Sequence, residues 1–266
     1  MPDIFVVLKK RWKMIGAIIA IIFILVAVLV FSKPSQFLSV STAIPNAVYA
    51  NDKSRIFSEQ IENLYSDLGT PDDLDMILGT AQLDTVYLSI TDQFNLYDHY
   101  GFKGNPSSNR RSSAERLRKH SRVFKSNYGE LKVKVWDTDK NLAAELSNAI
   151  MDLLQDIHSN LRNAGNNAIL RVLKIKEQQL VSDSAMATNR RISNTDRIAQ
   201  YDKLINEYQL MVDTKSPALS IIERARPAAS PDRPRRIQIL AGTLLLSFLF
   251  AFLIAVFLEG RKQTMQ

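Results

Sequence analysis

The sequence predicts an α+β membrane protein: two transmembrane helices flanking an α/β base domain that carries a long protruding helical hairpin. Three observations predict it. Residues 14–31 and 237–258 contain no charged side chain. The region between them mixes short β-like runs with helical spacing. No proline occurs between Trp136 and Pro217, over which apolar residues recur at three- and four-residue steps.

At about 1.5 Å per residue the two apolar runs reach roughly 27 and 33 Å, which suits a hydrocarbon core of about 30 Å. Trp12 and Lys13 beside the first are interface anchors. The second is flanked by Arg235 and Arg236 before it and by Glu259, Arg261 and Lys262 after it. A cleaved signal peptide is the rival reading of the N-terminus. The first run is long for one, and the nearest small-residue site, Val48-Tyr49-Ala50, lies too far downstream. Lys9, Lys10, Arg11 and Lys13 ahead of the first run favour a cytoplasmic N-terminus. The second run alone argues the reverse, because Arg233, Arg235 and Arg236 precede it. Long domains translocate largely regardless of charge, so the central domain is expected outside, with both termini cytoplasmic.

The expected organisation is a cytoplasmic tail (1–13), a first span (14–31), a periplasmic base domain (32–136) and long helices (137–212). A returning strand with a proline-rich strap (213–236), a second span (237–258) and a cytoplasmic tail (259–266) follow. The net charge is +7. Much of it sits in the tails, leaving about +3 for the central loop, which is no nucleic-acid footprint. The chain has no cysteine, which excludes disulfides and thiol or zinc–thiolate chemistry.

Along the loop, residues 37–44 form a β-like run stopped by Pro45. Residues 54–68 have helical spacing and end at Gly69-Thr70-Pro71. Residues 72–100 read as one or two helices with Leu74, Ile77, Leu78, Val86, Ile90, Phe94 and Leu96 on one side. Residues 101–113 read as a polar, turn-rich connection, and 114–125 as a short basic helix. Residues 131–136 alternate apolar and charged side chains, as a half-buried strand does.

Asp137-Thr138-Asp139 offers N-caps for a long helix, with Leu142, Leu146, Ile150, Leu153, Ile157 and Leu161 along one stripe. Gly165 is its weak point, costing about 1 kcal/mol against alanine. The polar stretch 182–189 is a turn or an exposed segment, and Ile192, Ile198, Leu204, Ile205, Tyr208 and Met211 mark a returning helix. From Asp139 to about Leu180 a continuous helix reaches roughly 60 Å. It needs cover from the returning helix, from neighbouring copies, or from both. Residues 219–226 are β-like. Pro227, Pro231 and Pro234 then make a stiff extended strap into the second span.

No cofactor, metal or catalytic centre is expected. His99, His120 and His158 have no ligand-like spacing. Asp72, Asp73 and Asp75 sit where acids favour a helix N-terminus. No phosphate-binding G-x-x-x-x-G-K-[ST] run or nucleophile elbow occurs. Arg110, Arg111, Arg116, Arg118, Lys119 and Arg122 form a basic cluster. Its plain reading is a solvated face; its functional reading is contact with an acidic glycan, a lipid phosphate or a partner protein. Gly16/Ala20 and Ala251/Ala255 have spacing that permits close helix packing in a membrane, although ordinary lipid-facing helices show it too.

As an ordered set, these pieces resemble the polysaccharide co-polymerases, the Wzz-type chain-length determinants of bacterial surface polysaccharide. The 37–44 strand follows the first span. Residues 90–100, Ile-Thr-Asp-Gln-Phe-Asn-Leu-Tyr-Asp-His-Tyr, look like the family's helix ending in a leucine–tyrosine segment. Residues 133–150 look like its strand, acidic turn and long-helix start, with Lys140 where many members carry proline. The proline strap with the second span is the most specific element.

The resemblance implies a non-enzymatic homo-oligomeric ring in the inner membrane, regulating chain length of O-antigen, capsule or exopolysaccharide. Its partners would be a polymerase or exporter, nascent glycan or lipid-linked saccharide, and membrane lipids, with no nucleic acid. Larger relatives append a tyrosine kinase after the second span, and a kinase-less member is expected here. The alternative is a periplasmic sensor or adaptor ectodomain working through a partner protein.

Overall fold

The computed structural model describes residues 4–46, 71–186, 191–215 and 217–263. The helix expected at 54–68 lies outside the described residues, as do the side chains of Asp72 and Asp73. The chain divides into two compact units. One holds both terminal helices and the strap; the other holds the sheet, the shorter helices and the long hairpin.

In the terminal unit, helix α1 (Ile4–Ser32) starts within the segment expected as a tail, with one non-helical residue at Arg11. It packs against α8 (Arg236–Gln263). Ala251 and Ala255 are buried at this contact against Ile15, flanked by Met14, Ile18, Ile19 and Val256. Small side chains at a four-residue step let the helices approach closely. Gly16 and Ala20 instead face outward. The most apolar stretches of the two helices are only 11% and 17% buried. Ile21, Ile24, Leu25, Val28 and Leu29 therefore stand uncovered on α1, as Leu245, Leu246, Leu249 and Leu253 do on α8. A contiguous apolar surface of this kind is unstable against water and stable against hydrocarbon.

The strap is fastened beside these helices. Gln36 donates from its backbone to the Arg233 carbonyl at 2.8 Å and accepts from the Asp232 amide at 2.9 Å. The Arg236 guanidinium reaches Ser35 Oγ at 3.1 Å and lies 5.0 Å from the Phe31 ring centroid. The Arg233–Pro234 peptide is cis.

In the second unit, a four-stranded sheet has the order β2-β3-β1-β4. These are β1 (Phe37–Pro45), β2 (Ser121–Lys125), β3 (Leu131–Asp137) and β4 (Leu219–Glu223). β2 and β3 form an antiparallel hairpin, and β1 pairs antiparallel with β4 across an irregularity between Thr42 and Ala43. Helices α2 (Pro71–Ala81), α3 (Asp84–Gln93), α4 (Leu96–His99) and α5 (Pro106–Lys119) complete the base with the first part of α6 (Lys140–Met186). Its core joins Leu74, Ile90, Leu96, Leu117, Val133 and Leu146. Ala143, Ala144 and Ser147 are buried where α6 meets the sheet. Ser147 Oγ donates to the Val133 carbonyl at 2.9 Å and lies 3.0 Å from Ser41 Oγ.

Two local readings are corrected. The connection expected at 101–113 is helical from Pro106. Asn105 caps α5 by accepting from the Ser107 amide, and Pro106 occupies its first turn. The basic helix expected to reach Lys125 ends at Lys119, and Ser121–Lys125 is a strand. The turn at Gly129, with φ of +75°, closes the β2–β3 hairpin and requires a residue tolerant of that region.

α6 runs 47 residues, about 70 Å, straight through Gly165. Helix α7 (Arg191–Thr214) returns beside it. Leu170, Leu173 and Tyr208 form their small shared core, and Lys174 Nζ donates to Gln209 Oε1 at 3.2 Å. Leu161, Val172, Ile175 and Val181 remain exposed on α6.

The hairpin is tied to the base by a polar knot. Arg162 donates to the carbonyls of Asn46 and Pro217, both at 3.2 Å. Ser159 Oγ accepts from the Ala218 amide at 2.9 Å. Ser220 Oγ donates to Asn46 Oδ1 at 2.7 Å, while Asn46 Nδ2 donates to the Pro217 carbonyl. His158 joins from the next position on α6, its Nε2 lying 2.9 Å from Thr80 Oγ1.

Candidate basic cleft between two helices

α5 buries Ser113, Ala114 and Leu117 and turns its remaining charged residues outward. Arg116, Arg118 and Lys119 fall in its last turn, where cations complement the negative end of the helix dipole. Against α3 this helix leaves a cleft of about 800 Å³. The floor is apolar, from Tyr87, Leu88 and Ala114; Arg110, Arg111, Arg118 and Lys119 stand around it.

The arginines are held in place. Arg110 makes a two-pronged contact with Asp92, through Nε at 2.7 Å and Nη2 at 2.6 Å. That contact holds the Asp92 carboxyl below the usual range and raises the Arg110 guanidinium above its own. Arg118 Nη1 donates to Asp84 Oδ1 at 2.7 Å, and its guanidinium lies 5.8 Å from the Tyr87 ring centroid. Arg111 is 3.6 Å from Glu115 one turn on. Burial raises the Tyr87 phenol, outweighing the opposing effects of Ser121 and Arg118, so the hydroxyl stays neutral. Lys119 has no ion pair among the described residues. The cleft lining carries four cations and two carboxylates, Asp84 and Glu115; with Asp92 behind Arg110 the group has a net charge of +1.

The sequence cluster is thus divided. Arg110, Arg111, Arg118 and Lys119 share the cleft. Arg116 lies over Tyr100, 4.6 Å from its ring centroid, and Arg122 lies on β2 over Phe124 at 5.4 Å. Asp84, Tyr87, Leu88 and Asp92 were not singled out from the sequence. Their only advance signal is the helical spacing that puts positions 84, 87 and 88 on one side of α3.

A second, acidic groove of about 450 Å³ lies between the end of α3 and α6, with Glu145, Asp152 and Asp156 on its α6 side. Asp152 is engaged by Arg224 at 3.1 Å. The three histidines occupy separate settings. His99 packs against Tyr100, His120 Nδ1 lies 2.8 Å from the Arg116 carbonyl, and His158 sits in the knot. No cluster of three metal-ligating side chains occurs among the described residues.

No family model and no curated protein sequence matches the chain. Among solved structures it is similar to a full-length bacterial polysaccharide co-polymerase. The identity is 13% and the TM-score 0.47, covering 99% of this chain and 98% of that one. It is also similar to a fragment of WzzB, a polysaccharide co-polymerase from Salmonella Typhimurium. There the identity is 8% and the TM-score 0.41, covering 75% of this chain and all of that one, 100%.

Proposed function

We propose that the chain is a non-catalytic scaffold of the polysaccharide co-polymerase type, held in the bacterial inner membrane. It sets the length of a surface polysaccharide made by a separate polymerase. The observation that carries this reading is the closure of the terminal unit. α1 and α8 pack through Ile15, Ala251 and Ala255, and the strap residues Asp232 and Arg233 pair with Gln36 just past α1. Both anchors are thereby held together, and Pro227, Pro231 and Pro234 stiffen the chain that leads into α8.

The order of pieces supports the same reading. The strand after α1 lies beside the strand before the strap. The hairpin leaves Leu161, Val172 and Ile175 uncovered, which suits packing against further copies. Head-to-tail contacts between identical copies in one membrane close naturally into a ring. The basic residues ahead of the first apolar run orient the domain to the periplasm.

Removing the gene and separating the cell's surface polysaccharide by gel electrophoresis tests the reading. The expected result is loss of the regulated length distribution, restored by the wild-type gene. An unchanged distribution and amount would overturn it. Val172→Glu with Ile175→Glu is expected to reduce particle mass in detergent while leaving circular dichroism unchanged. Wild-type mass in that variant would remove the hairpin stripe from the assembly.

A further inference from the structure

The geometry points to the α3–α5 cleft as a binding site for an anionic saccharide, one bearing carboxylates along its chain. The inference rests on the scaffold reading above for the source of the ligand, but its physical basis is local. At about 800 Å³ the cleft lies within the ~300–1,000 Å³ range of sites that enclose small ligands.

Its floor and walls differ in chemistry. Tyr87, Leu88 and Ala114 offer an apolar surface suited to the C–H face of a sugar ring. Arg110, Arg111, Arg118 and Lys119 supply donors around that floor, while Asp84, Glu115 and Ser107 add acceptors for sugar hydroxyls. A saccharide presents both kinds of surface within one ring, so floor and walls are satisfied together.

The charge balance selects an anion. With Asp92 counted beside the lining residues Asp84 and Glu115, four cations face three carboxylates, a net charge of +1, and walls of low dielectric concentrate the resulting field. Asp92 and Asp84 offset the charge of Arg110 and Arg118, and they also fix the two guanidinium groups in place. A guanidinium has five N–H donors, and the Asp92 contact occupies only Nε and Nη2 of Arg110, while Asp84 occupies Nη1 of Arg118. The remaining donors are already ordered, so less side-chain entropy is lost when a ligand carboxylate arrives. Lys119, without an ion pair among the described residues, completes the excess. One such site binds weakly, but repeated in every copy of an assembly it would hold a repeating polymer by avidity.

Isothermal titration calorimetry on the full chain in nanodiscs tests this, with tetragalacturonate, maltotetraose and inorganic pyrophosphate as probes. Tetragalacturonate is expected to bind, more weakly as salt rises, and maltotetraose about tenfold less tightly or not at all. The Arg111→Ala, Lys119→Ala double variant is expected to lose about tenfold in tetragalacturonate affinity at an unchanged melting temperature. Arg116→Ala, on the same helix but turned toward Tyr100, is expected to leave the affinity unchanged.

The inference is overturned if the wild-type protein gives no heat with tetragalacturonate, if maltotetraose binds equally well, or if the double variant binds like wild type. Tighter, competing binding of pyrophosphate would reassign the cleft to a phosphate group and overturn the saccharide reading. Cell assays separate the two levels. If the wild-type gene restores polymer length while tetragalacturonate fails to bind, the cleft inference fails alone. If binding holds while the polymer never responds to the gene, the scaffold reading fails and the cleft stands as an anionic-saccharide site.

Discussion

The base and the hairpin share one helix and are stabilised in different ways. In the base, α6 buries Leu146, Ile150, Met151 and Leu154 completely in a core shared with the sheet and helices α2 to α5. Beyond Arg162, among the described residues, the same helix packs its apolar side chains against α7. There the buried set is Leu170, Leu173 and Tyr208, while Val172, Ile175 and Val181 on the same helix face outward. Layered elements enclose side chains from several directions, whereas a two-helix hairpin can enclose only one stripe. The base encloses its own core, whereas the hairpin leaves Val172, Ile175 and Val181 uncovered.

The widest test of this contrast is a pair of truncations. Leu146→Ala removes a fully enclosed side chain and is expected to cost about 3 kcal/mol. Leu173→Ala removes one that already borders solvent and is expected to cost about 1 kcal/mol, because the site relaxes around a smaller void. Urea denaturation of the two variants measures both. Equal costs would break the distinction between a closed base and an open hairpin.

The knot at Arg162 is where the two regions are joined, and its removal should affect them unequally. Arg162→Ala leaves the carbonyls of Asn46 and Pro217 without a charged donor, an expected loss of about 1.5 kcal/mol. Amide hydrogen exchange should rise across α7 and the second half of α6, with little change in β3. Uniform loss of protection would mean that the knot supports the whole domain.

A smaller effect of opposite sign is expected inside the base. Thr91 Oγ1 is buried and has no hydrogen-bond partner among the described residues. Thr91→Val keeps the shape and removes an unsatisfied hydroxyl, so a gain of about 1 kcal/mol is expected. A loss of stability would mean that the hydroxyl is satisfied after all.

Much of this contrast could be read from residues alone, for physical reasons. The stripe from Leu142 to Leu161 is regular because it faces one continuous core, and the apolar ends are uniform because hydrocarbon surrounds them. The first turns of α5 were hidden because they are built from Asn105, Pro106, Ser107 and Ser108, residues as common in turns as in helix starts. β2 was hidden because Ser121–Lys125 offers too short an alternation to overcome its basic surroundings.

The cleft was only half legible. Its cations are neighbours on one helix, but Asp92 and Asp84 reach Arg110 and Arg118 across 18 and 34 residues of chain. The knot was not legible, since its polar residues come from four distant segments and none has a periodic signature.

The finest test sets the two regions against each other by pH. His158, at the base of the hairpin, has its pKa lowered from 6.5 by burial and then by Arg162. The unfolded chain therefore binds more protons, and this group's contribution is lost as pH falls through 6.5 toward the folded value. His158→Gln should flatten that dependence.

Glu177, which lies against Asp202 of the returning helix, has its pKa raised from 4.5, chiefly by a hydrogen bond with that carboxyl. Here the folded state binds more protons, so its contribution is present below 4.5 and lost as pH rises through the folded value. Asp202→Asn should remove the repulsion at neutral pH and protect α7 amides from exchange. The contributions of His158 and Glu177 should thus change with acid in opposite directions. If Asp202→Asn leaves α7 exchange unchanged between pH 4 and pH 7, the two helices do not hold these carboxyls together, and the hairpin is looser than its small core suggests.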